Sequence, residues 1–237
     1  MTKSICLLLA STISTVASSQ ISFTLKGNFA NQQNPVIYSE YLDKEKSVTD
    51  TINVSNNRFH FSKTISEPVL STLTANNRRT NFFLEDGIID VDFSTYASPV
   101  IQGGPLQKEF ENFIFSVKDV LYPLKNIYDS YWWKLFPSSS RDSVYDQLLA
   151  LRKQMTQKIS AYLKTHRNSI IGTWAAAENY DEATSTEFEE ILSHINRNHA
   201  YGRKVLYLYE LAKKTAVGKK IYDQDLAAKD INGNFFR

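Results

Sequence analysis

The densest group of potentially reactive side chains is a run of four carboxylates, Glu85, Asp86, Asp90 and Asp92. A calcium loop needs oxygen ligands at tighter spacing that is punctuated by glycine, and this run lacks that pattern. Asp90 and Asp92 alternate with apolar residues, which is typical of the solvated face of a strand. Neighbours on one strand face need not flank a pocket, so the run does not indicate a general acid–base pair.

The four histidines are the next candidates, for a zinc site. His194 and His199 are five residues apart, whereas a spacing of four places two imidazoles on one helix face. His60 and His166 are dispersed, so surface histidines are the favoured interpretation. The serines at 138–140 lack the glycine-flanked turn of a serine hydrolase, and no glycine-rich phosphate loop occurs. We therefore predict no catalytic residue, no metal site and no cofactor, and we do not expect an enzyme in these residues alone.

The N-terminus reads as an export signal. Lys3 precedes an apolar stretch from Ile5 to Ala17, and small residues follow it. The stretch is shorter than the roughly twenty apolar residues that span a bilayer. We expect residues 1–19 to be a signal peptide, so that the mature protein crosses the inner membrane and resides in the periplasm or cell envelope without a transmembrane segment. Removal of this peptide would also remove Cys6, the only cysteine, which excludes a disulfide, a thiolate metal site or a C-x-x-C centre from the remaining residues.

A cluster of aromatic residues is the most unusual feature outside these motifs. Large aromatics dominate core energetics, so packing between helices and sheet is one interpretation. The other is an exposed patch that docks a partner protein. Adjacent tryptophans on a helix cannot both point fully inward, and this favours at least one at a surface or interface. The predicted partner-docking residues are Tyr128, Tyr131, Trp132, Trp133 and Phe136.

The formal net charge of +2 is nearly balanced, and basic and acidic residues are interspersed. The extended positive footprint of a nucleic-acid-binding protein is therefore missing, and we expect protein partners instead. The sequence does not indicate an oligomeric state.

Residues 20–103 alternate apolar and polar side chains in short segments. The first segment, Ile21–Leu25, has the period-2 pattern of a strand with one buried face. Ser55-Asn56-Asn57 favours a left-handed turn, which predicts a hairpin between the segments on either side. Asn76-Asn77 predicts a second turn. About eight strands with short turns predict an antiparallel β-sandwich or open barrel, and hence an α+β fold when the helices that follow are included.

Residues 104–214 are predicted to be helical. Gly103-Gly104-Pro105 marks the start, because proline is tolerated at the first helical position. The first helix has an apolar stripe of residues at three- and four-residue steps, and Pro123 predicts a kink or break in it. Asn168-Ser169 is predicted to cap a helix at 170–178, and Thr186 with Glu189 to form a capping box for the next one. Five helices with short loops predict a helical bundle. The stripe comprises Leu106, Phe110, Phe113, Val117, Leu121, Leu124, Tyr128 and Tyr131.

The order of these motifs resembles a known family. The motifs are the strand ISFTLKG, the segment SVTDTINVSNNRFHFSKTISEP, the strand pair NFFLEDGIIDV, the junction VIQGGPLQKEFE and the run YGRKVLYLYELAKKTAVGKK. Together they resemble the domain of unknown function DUF4369 and its helical segment. This region precedes thioredoxin-like domains of the AhpC/TSA and TlpA type in envelope thiol:disulfide oxidoreductases of the Bacteroidetes type. Residues 215–237 resemble the start of such a domain, although Tyr222 and Gln224 depart from the usual Pro-Asp-Phe.

The resemblance implies an accessory role beside a redox domain, such as positioning it, holding a client or mediating self-association. We therefore expect a non-catalytic extracytoplasmic interaction protein. One alternative is the leading part of a complete thiol:disulfide oxidoreductase whose C-x-x-C lies beyond Arg237. A second is a stand-alone ligand-binding β-module with exposed aromatics such as Tyr38 and Tyr41, but residues three apart on a strand face opposite sides.

Overall fold

The computed structural model describes residues 20–29, 36–44, 46–76, 78–93, 99–129, 138–180 and 183–215. Eight strands come first: β1 (Ile21–Phe29), β2 (Val36–Asp43), β3 (Lys46–Asn53), β4 (Arg58–Ile65), β5 (Val69–Ala75), β6 (Arg78–Leu84), β7 (Gly87–Phe93) and β8 (Val100–Gln102). Five helices follow: α1 (Pro105–Asp129), α2 (Ser138–Thr165), α3 (Ile170–Asn179), α4 (Ser185–Ile191) and α5 (Ala200–Thr215). The predicted α+β class is confirmed.

The strands form two four-stranded sheets. The first sheet has the order β4-β1-β7-β8 and the second the order β3-β2-β5-β6. Apolar residues of both sheets, among them Leu25, Ile37, Leu73 and Ile89, are fully buried in one core. The predicted sandwich is thus confirmed. The pairing of β1 with β7 is parallel, whereas the other strand pairs are antiparallel.

The hairpin predicted around Ser55-Asn56-Asn57 is wrong in its pairing, although the turn itself forms. Asn56 and Asn57 adopt positive φ angles of 51° and 59°, and Ser55 and Arg58 exchange two backbone hydrogen bonds. Beyond this bridge, β3 pairs with β2 and β4 pairs with β1, so the two strands diverge into different sheets. The turn residues determine the local bend, whereas the long antiparallel pairings with β1 and β2 determine the sheet to which each strand belongs.

The helices share a second core, which meets the sandwich at β6. Phe82 and Leu84 lie in the core between the sheets, while Phe83 points the other way into the helical core. Strand side chains alternate between faces, so this end of β6 is buried on both sides. Phe83 makes edge-to-face contacts with Phe110 and Trp174 at centroid distances of 5.3 and 5.9 Å.

Two predictions about the helices need correction. α1 continues as one helix across Pro123, so the break considered there does not occur. The capping box of α4 is made by Thr184 and Glu187, two residues before the predicted pair. The cap predicted at Ser169 is confirmed, because its hydroxyl accepts a hydrogen bond from the N–H of Gly172.

Candidate docking surface

The start of α1 is fixed by a carboxylate from the sandwich. Glu85, which is 6% exposed, lies between β6 and β7. Its Oε2 accepts from the N–H of Leu106 and its Oε1 from the N–H of Gln107, both at 2.9 Å. These N–H groups have no partner inside the helix, and a negative charge at this end interacts favourably with the positive end of the helix dipole. Glu85 is therefore a long-range N-terminal cap that attaches α1 to the sheet.

Gly104 leaves the space that this cap needs. A Cβ atom on Gly104 would lie 2.7 Å from Oε2 of Glu85, and one on Gly103 would lie 2.6 Å from Cβ of Gln107. A larger residue at either position would push the carboxylate or the first turn of the helix away. The Gly-Gly-Pro junction thus permits a close contact in addition to starting the helix.

Gln107 provides a hydrogen-bond acceptor for one backbone N–H on the outer edge of β6. Its buried side chain accepts from the N–H of Phe83 at 3.0 Å and donates to Glu111 at 2.9 Å. Successive residues of an antiparallel edge strand direct their N–H groups to alternate sides. Asn81 and Arg79 therefore present their backbone groups to the same outer edge as Phe83. No hydrogen bond within the described residues takes the N–H of Asn81.

A groove of about 350 Å³ runs between this edge and α1. Its helical wall is mainly apolar, and Lys118 and Glu111 provide its charges. Thr80 and Asn81 form the opposite wall. Pro99, just before β8, and Ile101, within β8, close one side. The lining residues are Thr80, Asn81, Pro99, Ile101, Gln107, Phe110, Glu111, Ile114, Phe115, Lys118 and Tyr122.

The α1 stripe, as we call Glu111, Phe115, Lys118 and Tyr122, lies along the rim of this groove. The four residues follow each other at steps of four, three and four, which places them on one face of the helix. Phe115 is 68% exposed and Tyr122 is 57% exposed. The Lys118 ammonium lies 3.7 Å from the centroid of the Phe115 ring. Two large exposed aromatics beside a groove are typical of an interaction surface.

The predicted docking cluster falls mostly outside the described residues. Of its members, only Tyr128 is among the described residues, and Tyr131, Trp132, Trp133 and Phe136 lie outside them. Tyr128 is 48% exposed, and its hydroxyl accepts from Nε of Arg152 at 2.8 Å, which links α1 to α2. Tyr128 follows Tyr122 by six residues, about 240° around the helix, so it does not belong to the α1 stripe.

Phe115 and Tyr122 were not among the predicted docking residues, although the sequence carries a signal for them. Both residues fall outside the apolar stripe that predicts the buried face of α1. Large aromatics on the polar face of an amphipathic helix have no place in the adjacent core, and they point to a second contact surface.

A second joint fixes α5 to the sandwich in the same manner. Both carboxylate oxygens of Glu67 accept from the N–H of Ala200 at 3.2 Å, and Arg203 lies 3.5 Å from Glu67. Nε2 of His199 donates to the carbonyl of Pro68 at 2.8 Å. His199 is 5% exposed, so the prediction of a surface histidine is wrong for this residue. Burial lowers the pKa of His199, with a smaller lowering contribution from Arg203.

Tyr201 completes this joint. Its hydroxyl accepts from the N–H of Leu70 at 2.8 Å, and its ring packs against Phe83 at a centroid distance of 6.4 Å. Burial raises the pKa of the Tyr201 hydroxyl well above its usual range, so the residue stays neutral and serves as a hydrogen-bonding anchor. α1 and α5 are thus held on neighbouring strands of one sheet, which makes the frame of the groove rigid.

A polar cluster of Tyr41, Asp50 and Lys63 joins three strands of the sandwich. The Tyr41 hydroxyl donates to Asp50 at 2.7 Å, and Lys63 donates to both oxygens of Asp50 at 2.7 and 3.0 Å. Burial raises the pKa of Tyr41 to about 12. The phenol therefore remains protonated near neutral pH and is a poor base or nucleophile. The cluster ties β2 and β3 to β4 across the open side of the sandwich.

The ligand platform considered for Tyr38 and Tyr41 does not form. Tyr38 is 43% exposed and Tyr41 is 5% exposed, which confirms that they face opposite sides of β2. Within the described ranges, no three His, Cys, Asp or Glu side chains are grouped closely enough to hold a metal ion. None of the helices in the described part of the chain has the length and apolar character needed to cross a bilayer.

Comparison with known families adds one finding. Residues 23–110 match the family model described as Domain of unknown function (DUF4369), which confirms the predicted resemblance for this part of the chain. The match runs from β1 through the sandwich and ends at Phe110, in the second turn of α1. No curated protein matches the chain.

Proposed function

We propose that this chain is a non-catalytic protein-interaction region that acts outside the cytoplasm and is related to the N-terminal region of thioredoxin-like oxidoreductases. The observation that carries the interaction role is the groove on α1. Phe115 and Tyr122 are exposed at its rim, while α1 itself is fixed to the sandwich through Glu85, Gln107 and the buried ring of Phe83. A rigid frame lowers the entropy lost when a partner binds, so exposed aromatics on it make effective anchors.

The location rests on the sequence of residues 1–19, which has the charged start and apolar stretch of an export signal. The redox association rests on the family resemblance and on the likeness of residues 215–237 to the start of a thioredoxin-like domain. An interaction region serves both a free-standing accessory protein and the front of a longer oxidoreductase. Trp132 and Trp133 remain predicted as a second site at which this region contacts a partner protein.

Photocrosslinking tests the interaction role. A photoreactive phenylalanine analogue replaces Phe115 on the groove or, as a matched control, Tyr207 on α5, since both side chains are 68% exposed. Irradiation of cells that produce the protein should yield a discrete protein adduct at position 115, identified by mass spectrometry, and none at position 207. Equal or absent adducts at the two positions would contradict the proposed docking surface.

The intact mass of the endogenous polypeptide tests the redox association. The protein is recovered from the cell envelope, and free thiols are counted on the same sample. A species that ends at Arg237 and has no thiol would make the chain a free-standing accessory protein. A heavier species with a pair of thiols would make it the leading part of an oxidoreductase. Recovery from the cytoplasm alone would contradict the proposed location.

A further inference from the structure

The α1 stripe has a charge order that is complementary to itself. Glu111 and Lys118 carry opposite charges and lie seven residues apart, about 10 Å along the helix. Phe115 lies between them on the same face, and all three are exposed. If a second α1 runs antiparallel and crosses near Phe115, each Glu111 faces the Lys118 of the other helix. A parallel arrangement would instead bring like charges together.

The shape is also self-complementary. Phe115 protrudes from the rim, and the groove beside it has apolar lining from Phe110, Ile114 and Ile101. A two-fold axis near Phe115 lets each protruding ring enter the groove of the other copy. Such an isologous contact uses the same patch twice and closes on itself, so it produces a dimer and not a fibre.

We propose that the groove on α1 is occupied by α1 of a second copy of this chain, packed antiparallel about a two-fold axis near Phe115. This inference rests on the docking surface of the proposed function and names its occupant. It assigns the two Phe115 rings to the centre of the contact, the two pairs of Glu111 with Lys118 to either side of them, and Tyr122 to its outer ends.

The exposed aromatic area fits a weak dimer. A Phe or Tyr side chain buries about 150–250 Å² when it is fully covered. With 68% and 57% still exposed, the four aromatic rings of two copies offer roughly 400–600 Å² of apolar surface. This apolar area is below the roughly 1,200 Å² of the smallest stable interfaces, so we expect a weak dimer that forms as the concentration rises. Buried area does not set affinity, so a dissociation constant on the order of micromolar serves to choose the concentration range of the test.

Sedimentation velocity of the purified protein over about 1 to 200 μM, a range that brackets this affinity, gives the first test. The unaltered protein should shift from monomer to dimer as its concentration rises. Phe115→Ala should move this shift to at least tenfold higher concentration. The control Tyr207→Ala removes an equally exposed aromatic from α5 and should leave the shift unchanged. Circular dichroism spectra and melting temperatures show whether each variant is folded.

Charge reversal tests the antiparallel register directly. Glu111→Lys or Lys118→Glu alone places like charges in both rim pairs, so each variant should remain monomeric at concentrations where the unaltered protein is dimeric. An equimolar mixture of the two single variants restores both attractive pairs and should form a heterodimer. The double variant restores them within one chain and should dimerise by itself. Glu111→Lys also loses the contact with Gln107, which mixing cannot restore, so rescue by mixing reports the contact between copies.

Two results would overturn the inference. One is a protein that stays monomeric throughout the concentration range. The other is a dimer that responds equally to Phe115→Ala and Tyr207→Ala, or that is not rescued when the two charge variants are mixed. A monomeric protein that still crosslinks to a different identified polypeptide at position 115 would refute the second copy as occupant and leave the proposed function intact. A monomer without any crosslink would refute both.

Discussion

Substitution of Glu85 by alanine should lower the free energy of unfolding far more than the same substitution of the neighbouring Asp86. In Glu85→Ala, the N–H groups of Leu106 and Gln107 lose acceptors at 2.9 Å, and the helix loses a negative charge at its N-terminus. A hydrogen bond to a charged group contributes about 1.5–3 kcal/mol, and a typical N-cap about 0.5–2 kcal/mol. Water that enters beside Gly104 replaces part of this. We therefore expect the free energy of unfolding to fall by about 2–4 kcal/mol.

The matched control is Asp86→Ala. Asp86 is exposed and accepts one hydrogen bond, from the N–H of Ser22. A surface substitution of this kind changes stability by about 0.5 kcal/mol or less. Urea unfolding followed by circular dichroism gives both free energies. In thermal melts, Glu85→Ala should lower the melting temperature by about 5–15 °C, because 1 kcal/mol corresponds to roughly 2–4 °C for a chain of this size.

Similar losses for the two variants would refute the view that Glu85 holds α1 on the sheet. Glu85→Gln sharpens the test, because the amide keeps one acceptor oxygen but has no charge. Its loss should lie between those of Asp86→Ala and Glu85→Ala. The NH2 group of glutamine would face one of the two helix N–H groups, so a loss as large as that of Glu85→Ala would show that a single acceptor oxygen does not hold the helix start.

Three further predictions concern other parts of the frame. In urea unfolding, Gly27→Ala should lower the free energy of unfolding by about 3 kcal/mol or more, because its Cβ would lie 1.8 Å from the carbonyl oxygen of Val91. The control Gly87→Ala has open space around its Cβ and should lose only about 1–2 kcal/mol, because of its φ of +102°. Phe83→Ala should lower the free energy of unfolding by about 3–5 kcal/mol and alter Trp174 fluorescence, whereas Phe115→Ala should lower it by about 0.5 kcal/mol or less. Equal losses would contradict the assignment of Phe83 to the helical core. Burial lowers the pKa of His199 below its ordinary value of about 6.5, so the unfolded chain binds more protons between the two values. Stability is therefore full above about pH 6.5 and falls as the pH drops toward the folded pKa, and His199→Gln should remove this part of the pH dependence in urea titrations at a series of pH values.

The strands could be predicted because their signal is local. Alternation of apolar and polar residues locates β1 and β3, and the asparagines at 56 and 57 adopt the left-handed angles that their position favours. The partner of each strand could not be predicted in the same way. Pairing of β3 with β2 depends on residues that are distant in the sequence, and the tight turn at Asn56 carries no information about which sheet follows.

The joints could not be predicted because their partners are far apart in the chain. Glu85 caps residues that follow it by 21 and 22 positions, and Glu67 caps Ala200 across 133 positions. Local capping rules inspect only the neighbouring residues, and glycine at 104 looks like a linker. The buried state of His199 also follows from Pro68 and Glu67, which no spacing within α5 indicates. By contrast, the run Phe82-Phe83-Leu84 carries a local signal for burial of both strand faces that was not among the predictions, since continuous apolar residues on a strand cannot all face one core.

The range of the family match clarifies how the two parts of the chain depend on each other. It extends past Gly104 to Phe110, so it includes Glu85 together with the helical N–H groups that Glu85 accepts. The family match therefore includes the first turns of α1 together with the sandwich. Glu67 and the outward-facing ring of Phe83 also lie inside the match. Their partners, Ala200 on α5 and Trp174 on α3, lie outside it.

A sandwich without those later helices would expose Leu70 and Phe83 to water and leave the carbonyl of Pro68 without His199. Burial of such apolar side chains contributes several kcal/mol, so the helices stabilise the sheet and the sheet positions the helices. The boundary predicted at Gly103 therefore marks a change of secondary structure across which packing is continuous. This continuity gives the α1 stripe its fixed orientation, because α1 is anchored at its first turn by Glu85 and packed along its inner face before any partner binds.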